Sequence, residues 1–137
     1  MNFSIQEINN WYKTQSGKIN ESLVRSSINN IVRNKLDKNI IYIGPSIIIK
    51  RIINDNSSYK NFYISTFGSC DIKAEIEKLP FEEGSIDCAV LIHSLEINKD
   101  PHAAFREINR VLVDDGEIIV ASFNKMSFIG IFNLLRI

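Results

Sequence analysis

Residues 79–123 run LPFEEGSIDCAVLIHSLEINKDPHAAFREINRVLVDDGEIIVASF, and this stretch decides the fold. Residues 86–92 are strongly apolar apart from Asp87, which predicts a strand. Asp100-Pro101 is typical of a helix start, because aspartate caps helices and proline suits their first turn. The Asp-Asp-Gly of 114–116 predicts a turn into a further strand over 117–122. A strand, a helix and a strand in this order predict a right-handed βαβ unit in a parallel sheet.

The preceding residues continue the alternation of strands and helices. Residues 39–43 are an apolar run that ends at Gly44-Pro45, and they predict a first strand buried on both faces. The β-branched residues of 47–53 would suit a strand, but their position after a Gly-Pro turn favours a helix. Residues 61–65 predict a second strand, and the alternating polarity of 72–77 predicts a third strand near a sheet edge.

Two helices are predicted before the first strand. Ser4 and Glu7 form a capping-box pattern, which opens a short helix. Gly17 then interrupts the pattern, and a longer amphipathic helix is predicted over about 18–35. The apolar residues that follow its 3.6-residue period are Ile19, Leu23, Ile28, Ile31, Val32 and Leu36.

These elements predict an α/β protein, a Rossmann-like three-layer sandwich with a mainly parallel sheet of about five strands. We expect an N-terminal helical segment over 1–36 and a Rossmann-like domain over 37–137. Glu107 and Arg110 lie three residues apart on one predicted helix and are expected to pair. Asp87 is expected to be a structural hydrogen-bonding residue at the start of its strand.

Composition excludes several classes of protein. The 137 residues hold 16 basic and 16 acidic side chains, so the formal net charge is zero. Nucleic-acid binding is not indicated, because it usually leaves a basic stripe. The basic residues are also scattered, the apolar runs are too short to span a bilayer, and polar residues follow Met1, so neither a membrane anchor nor a signal peptide is expected.

The two cysteines, Cys70 and Cys88, are far apart in the sequence. Free thiols in a reducing compartment are the expected state, and this favours a cytoplasmic location. No cysteine or histidine stands at metal-ligand spacing, so no metal site is predicted.

The order of motifs in 79–123 resembles the class I S-adenosylmethionine-dependent methyltransferases, in particular those of the methyltransferase type 11 kind. Leu79-Pro80-Phe81 and Ser85-Ile86-Asp87 resemble the family's "LPF…S-F-D" segment. The run from Phe105 to Leu112, with the turn after it, resembles its "lrEv-RvL-PGG" helix and turn. A narrower likeness, carried by Trp11-Tyr12-Lys13-Thr14 and Gly17, is to a bacterial group of uncharacterised methyltransferase-like proteins.

The resemblance implies a strand order of 3-2-1-4-5 and S-adenosylmethionine as cofactor. Ligands of such sheets bind beyond the carboxyl ends of the strands, where the strand order reverses. By the family's pattern, Gly44 and Pro45 would approach the methionine end of the cofactor, and Ser65 would lie near its ribose. Glu75 and Ile76 would hold the adenosine. His93 would line the floor of the site, and it is also a weak candidate for a general base. The implied cofactor-binding set is Gly44, Pro45, Ser65, Glu75, Ile76 and His93.

The sequence departs from the family's pattern at the cofactor loop. Residues 41–47, IYIGPSI, hold one glycine where three are common, and Pro45 has no backbone N–H to donate. The acid that usually ends the second strand has no counterpart near Ser65 or Thr66. Loss of such a charge-assisted hydrogen bond costs about 1.5 to 3 kcal/mol, or roughly ten- to a hundredfold in affinity.

The chain is also shorter than the family's seven-stranded domain, whose last two strands form an antiparallel pair. We expect that pair to be lacking and residues 126–137 to form a covering helix. The fifth strand would then be an open edge that invites self-association.

The sequence supports a methyltransferase-like protein that transfers a methyl group to an unknown, small-molecule acceptor. The alternative is a catalytically inactive remnant that acts as a binding or structural module, so enzymatic activity is left open. A dinucleotide-binding domain is disfavoured because no G-x-G-x-x-G follows the first strand. A hydrolase is not supported, since the sequence has no G-x-S-x-G elbow.

Overall fold

The computed structural model describes residues 4–35, 37–53, 60–66, 68, 70–123 and 132–136, with backbone alone at 60–61 and 132–136. Its elements in chain order are α1 (Ile5–Tyr12), α2 (Gln15–Val32), β1 (Asn39–Ile43), α3 (Ser46–Ile52), β2 (Lys60–Ser65), β3 (Ile72–Lys73), β4 (Ile86–Ile92), α4 (Ser94–Ile97), α5 (Pro101–Val111), β5 (Leu112–Phe123) and β6 (Phe132–Arg136).

The strands form one sheet in the order β3-β2-β1-β4-β5-β6. β1 pairs in parallel with β2 on one side and with β4 on the other, and β4 pairs in parallel with β5. The strand order therefore reverses between β1 and β4. The predicted order 3-2-1-4-5 and the Rossmann-like fold are confirmed.

Helices cover both faces of the sheet, as a three-layer sandwich requires. Ile40 and Tyr42 of β1 pack in a buried cluster with residues of α1, α2 and α3. Ile41 and Ile43 pack in a second cluster with residues of α5. Successive side chains of a strand point to opposite faces, so one apolar strand supplies both cores. The N-terminal helices thus share a core with the sheet, and the boundary between 36 and 37 stays a prediction.

The start of α1 agrees with the sequence, but the break between α1 and α2 lies earlier than predicted. The Ser4 hydroxyl accepts from the Glu7 N–H at 3.1 Å, as a cap does. Thr14 accepts from the Gly17 N–H and starts α2, so Gly17 lies inside that helix. A Cβ at Gly17 would approach the Trp11 carbonyl oxygen to 2.0 Å. The glycine is there because two helix backbones touch.

The buried face of α2 was predicted wrongly at its first half. Ile19 and Leu23 are 57% and 60% exposed, whereas Val24, Ile28 and Val32 are buried. The contact between Gly17 and α1 turns that face of the helix inward, and residues seven, eleven and fifteen positions later follow it. Leu36 lies outside the described residues.

Two strands differ in length from their predictions. β3 holds only Ile72–Lys73, so residues 74–77 leave the sheet. β5 begins at Leu112, before the predicted turn. Ile86 pairs with Leu112 and Cys88 with Glu117, so the Asp-Asp-Gly segment forms a bulge inside β5.

The expectations for the C-terminal residues are corrected. Residues 132–136 form a strand and not a covering helix, and this strand pairs antiparallel with 119–123 of β5. One antiparallel strand is therefore present. The expected self-association assumed that β5 was an open edge, and β6 occupies that position. A helix cannot hydrogen-bond to a strand edge, whereas β6 satisfies the donors and acceptors of β5. The remainder of the predicted helix lies outside the described residues.

Both cysteines are free thiols, with Cys88 buried in the sheet and Cys70 partly buried. Within the described residues, none of the helices combines the length and the apolar character needed to cross a membrane.

Candidate functional site

A pocket of about 700 Å³ lies at the carboxyl ends of the parallel strands. Its walls come from the ends of β1 and β2, the segment after β3, the segment after β4 and the start of α1. This is the point where strand order reverses, and open α/β sheets bind ligands there. The lining residues are Ser4, Ile5, Ile43, Gly44, Pro45, Ile64, Ser65, Thr66, Ala74, Glu75, Ile76, Glu77, Ser94, Ile97, Asn98 and Lys99.

Five of the six residues predicted to bind the cofactor line this one pocket. They are Gly44, Pro45, Ser65, Glu75 and Ile76. They belong to three chain segments, and the parallel pairing of the strands brings these segments together at the carboxyl ends of the sheet. His93 is not among the lining residues in the described part of the chain, and its side chain is fully buried.

The packing of the sheet alone is enough to explain Gly44. A Cβ at this position would come within 2.2 Å of the Ile92 carbonyl oxygen on β4. The Gly44 N–H donates to the Ile64 carbonyl oxygen at 3.2 Å, and Pro45 has no N–H. Gly44 and Pro45 therefore line the pocket without offering it a backbone N–H as a hydrogen-bond donor.

The segment after β3 forms the wall that carries Glu75 and Ile76. The Ala74 N–H donates to the Ser65 carbonyl oxygen at 3.2 Å, which ties this segment to the end of β2. Glu75 is exposed at the pocket rim, whereas Ile76 is buried. An exposed carboxylate beside a buried apolar side chain can accept from a hydroxyl while the apolar group covers a ring.

The sequence reasoning missed several lining residues. Glu77 was detectable, since it stands two positions after Glu75 in the predicted third strand and would share its face. Asn98 and Lys99 precede the predicted helix cap and carried no separate signal. Ser4 and Ile5 could not be found from the sequence, because only tertiary packing brings α1 to this edge.

His93 immediately precedes Ser94 of the pocket wall, and both of its ring nitrogens are hydrogen-bonded. Nε2 is 2.7 Å from the Tyr12 hydroxyl, and Nδ1 is 2.5 Å from Oε2 of Glu96. The same Glu96 oxygen accepts from the Phe123 N–H at 3.2 Å. Because a carboxylate only accepts, the Nδ1 hydrogen is assigned to this bond. The ring therefore links α1, the start of α4 and β5.

The backbone at His93 is held in a conformation that side chains rarely adopt. Its φ is +51°, in the left-handed region, at the junction of β4 and α4. Such a conformation costs about 1–2 kcal/mol for a residue other than glycine. It is maintained by the His93 N–H, which donates to the Ala121 carbonyl oxygen at 2.9 Å, and by the two ring bonds.

The Tyr12 hydroxyl stays protonated in this setting. Burial is the main cause that raises the Tyr12 pKa far above its ordinary value. The negative charges of Glu96 and Glu21 raise the pKa further, and Arg51 opposes them. Tyr12 is thus a permanent hydrogen-bonding partner for His93.

A methyltransferase domain model matches residues 49–120, more than half of the chain. The chain belongs to the methyltransferase domain family. By family and fold, it is a member of the class I S-adenosylmethionine-dependent methyltransferase superfamily, which confirms the resemblance found in residues 79–123. S-adenosylmethionine is the cofactor that this membership implies.

Sequence relatives cover part of the chain. The uncharacterised protein YafS of Escherichia coli is 39% identical over 66 residues, which is 48% of this chain and 28% of YafS. The ubiquinone/menaquinone biosynthesis C-methyltransferase UbiE of Hahella chejuensis is 37% identical over 54 residues, or 39% of this chain and 22% of UbiE. The chain therefore matches less than a third of the length of these relatives.

Solved structures share the fold. A SAM-dependent methyltransferase of Thermotoga maritima superposes with a TM-score of 0.59 and 20% identity, over 92% of this chain and 61% of that one. At this identity the likeness concerns the fold.

The pocket of this methyltransferase domain suits the implied cofactor in size and in kind. Ligand sites of drug-sized molecules are commonly about 300–1,000 Å³ and mainly apolar with a few polar groups. Here Ile43, Pro45, Ile64 and Ile76 supply apolar surface, and Ser65, Glu75 and Glu77 supply acceptors. Glu75 and Glu77 could take the place of the ribose acceptor that 65–70 lack.

Proposed function

We propose that this methyltransferase domain binds S-adenosylmethionine in the pocket and transfers its methyl group to a small molecule. The convergence of Gly44, Ser65, Glu75 and Ile76 on one pocket of about 700 Å³ carries the proposal. The position of that pocket at the carboxyl ends of the strands supports it, since this is where such sheets bind ligands. We also propose that the protein acts in the cytoplasm.

When bound, the cofactor would supply an electrophilic methyl group on a sulfonium. A nucleophile of the acceptor would bond to that methyl carbon in line as the carbon–sulfur bond breaks and S-adenosylhomocysteine leaves. The chain then has to orient two reactants and exclude water. We assign the adenosine to the wall formed by Glu75 and Ile76, with the Glu75 carboxylate accepting from a ribose hydroxyl. The methionine end is assigned to the loop at Gly44 and Pro45.

His93 is assigned a supporting role in this proposal. A general base must come within hydrogen-bond reach of the proton that it removes. His93 has no exposed surface, and Tyr12 and Glu96 are bonded to its ring nitrogens. We therefore propose that His93 shapes the floor of the site and that proximity drives the transfer.

The test is calorimetric titration of the purified protein with S-adenosylmethionine and S-adenosylhomocysteine, up to millimolar ligand. We expect saturable binding of both. Glu75→Gln removes the carboxylate charge with little change in shape, and we expect it to weaken binding by about tenfold. Gly44 is not a suitable test position, because any side chain there would collide with β4.

Glu82→Gln is the matched control, since Glu82 is exposed and does not line the pocket. It should bind as the wild type does. No heat at millimolar ligand, from protein with the circular dichroism of a folded α/β domain, would contradict the proposal. That result would favour the alternative of an inactive binding module. Equal effects of the two glutamine variants would reject the role of Glu75.

A further inference from the structure

We infer that Tyr12 is a positioning residue, which holds helix α1 against the pocket through its hydrogen bond to His93. This inference rests on the proposed function, because the pocket concerned is the one assigned to the cofactor. Tyr12 itself does not line the pocket in the described part of the chain. Its effect on a ligand would be transmitted by the other end of α1.

The two ends of α1 have different surroundings. At its start, Ser4 and Ile5 line the pocket, and Ile5 is 36% exposed. At its end, Tyr12 is fully buried with its hydroxyl 2.7 Å from Nε2 of His93. A helix of eight residues is a short rigid rod, so fixing its last residue fixes the direction of its first.

His93 is well placed to act as the anchor. Its ring is bonded on the other side to Glu96, which also accepts from the Phe123 N–H of β5. His93 immediately precedes Ser94, whose hydroxyl donates to the Ile43 carbonyl oxygen at 2.6 Å. Ser94, Ile97, Asn98 and Lys99 form the pocket wall that follows β4. The hydrogen bond from Tyr12 to His93 and the backbone from His93 to Ser94 therefore join helix α1 to the pocket wall that follows β4.

The aromatic contacts of Tyr12 do not depend on its hydroxyl. The Tyr12 ring lies edge-on to Trp11, with centroids 5.1 Å apart, and to His93 at 5.6 Å. Tyr12→Phe keeps this packing and removes the hydrogen bond between the hydroxyl and His93. The variant is therefore expected to fold, with α1 less firmly held.

The first measurement is hydrogen–deuterium exchange of wild type and Tyr12→Phe, each with and without S-adenosylhomocysteine. We expect faster exchange across 5–12 in the variant, and we expect the ligand to slow exchange of these residues in the wild type. Tyr42→Phe is the matched control, because Tyr42 is a buried tyrosine of the same core on β1. It should leave the exchange of α1 unchanged.

The second measurement is a double-mutant cycle on S-adenosylhomocysteine affinity. Tyr12→Phe should weaken binding by about threefold to tenfold, because less of the protein is in the competent form. Ile5→Ala should weaken binding in the wild type but have little further effect beside Tyr12→Phe. A merely structural role of Tyr12 predicts additive effects.

Unchanged affinity in Tyr12→Phe, additive effects, or no ligand protection of 5–12 would each overturn the inference. If the wild type binds no ligand, the proposed function fails on its own. Exchange of the free proteins then decides the remaining claim, since equal exchange of α1 in wild type and Tyr12→Phe would show that the hydroxyl does not hold the helix.

Discussion

At the scale of single residues, packing within the fold explains Gly44 and His93, two positions that the family resemblance had linked to the cofactor. Gly44 was expected at the cofactor because the family places glycines there. Gly44 does line the pocket, and a Cβ there would also come within 2.2 Å of the Ile92 carbonyl oxygen, so the packing of the sheet already requires glycine. His93 was expected at the floor of the site, but its side chain is fully buried with both ring nitrogens bonded, and it is not among the described residues that line the pocket.

Gly44→Ala is predicted to destabilise the protein even without a ligand. The added Cβ meets backbone atoms on the neighbouring strand, which cannot move aside as a side chain could. We expect a loss of roughly 3 kcal/mol in the free energy of unfolding, measured by urea titration.

Gly84→Ala is the comparison for this prediction. Gly84 has a φ of +64° and nothing within 4 Å of a built Cβ, so only the backbone conformation opposes alanine there. Its cost should be about 1 kcal/mol. Similar losses at the two positions would show that the close contact at Gly44 is relieved by movement of β1 or β4.

At the scale of elements, one paired set of side chains fastens the loop before β4 to α5. The Glu107 carboxylate accepts from the Leu79 N–H at 2.6 Å and from the Arg110 Nε at 2.6 Å. Arg110 also donates to the carbonyl oxygens of Leu79 and Phe81. The expected pairing of Glu107 with Arg110 is thus observed, and it has a further purpose in holding the loop. The expected structural role of Asp87 is also observed, because it accepts from the Asn39 N–H.

Glu107→Gln is predicted to lower stability at neutral pH but not at low pH. The pKa of Glu107 is lowered from its ordinary value of 4.5, mainly by the hydrogen bonds from Arg110. The folded protein therefore favours the ionised form of this carboxyl group. The stabilisation is present above pH 4.5 and is lost as the pH falls through the lower pKa of the folded state. Urea titrations of both proteins from pH 7 to pH 3 should therefore converge. A constant difference over this range would contradict the prediction.

At the scale of the whole molecule, β6 pairs with the strand that was expected to form the edge of the sheet. The sequence predicted an open edge at β5, but residues 132–136 pair with 119–123 and cover it. The five-residue β6 takes the edge position in place of the twelve-residue β5, and a short edge strand invites less pairing with other chains than a long one.

Removal of residues 132–137 is predicted to destabilise the domain and to cause self-association. The deletion would expose the donors and acceptors of β5 that β6 now pairs. Sedimentation velocity over a range of concentrations should show dimers or larger species of the truncated chain. A chain lacking only Ile137 is the control and should sediment as the full chain does. If both chains sediment as monomers, pairing with β6 is not what prevents self-association through β5.

The sequence by itself determined the two central strands of the sheet and the start of one helix that packs on it. Strands 39–43 and 86–92 match their predictions, because runs buried on both faces carry an unmistakable pattern of apolar residues. The start of α5 at Asp100-Pro101 also followed, since the Asp100 carboxylate caps the Ala103 N–H as its position predicted. These features depend on neighbours in the sequence and on burial alone.

Tertiary structure decided the rest. Which face of α2 is buried depends on where Gly17 contacts α1. Residues 132–136 form a strand because they pair with β5. The pocket needs Ser4 and Ile5, which the sequence places some forty residues before Gly44. Local patterns state what a segment can form, whereas contacts between distant segments are chosen by the packing of the whole chain. The link from Tyr12 to His93 is such a contact.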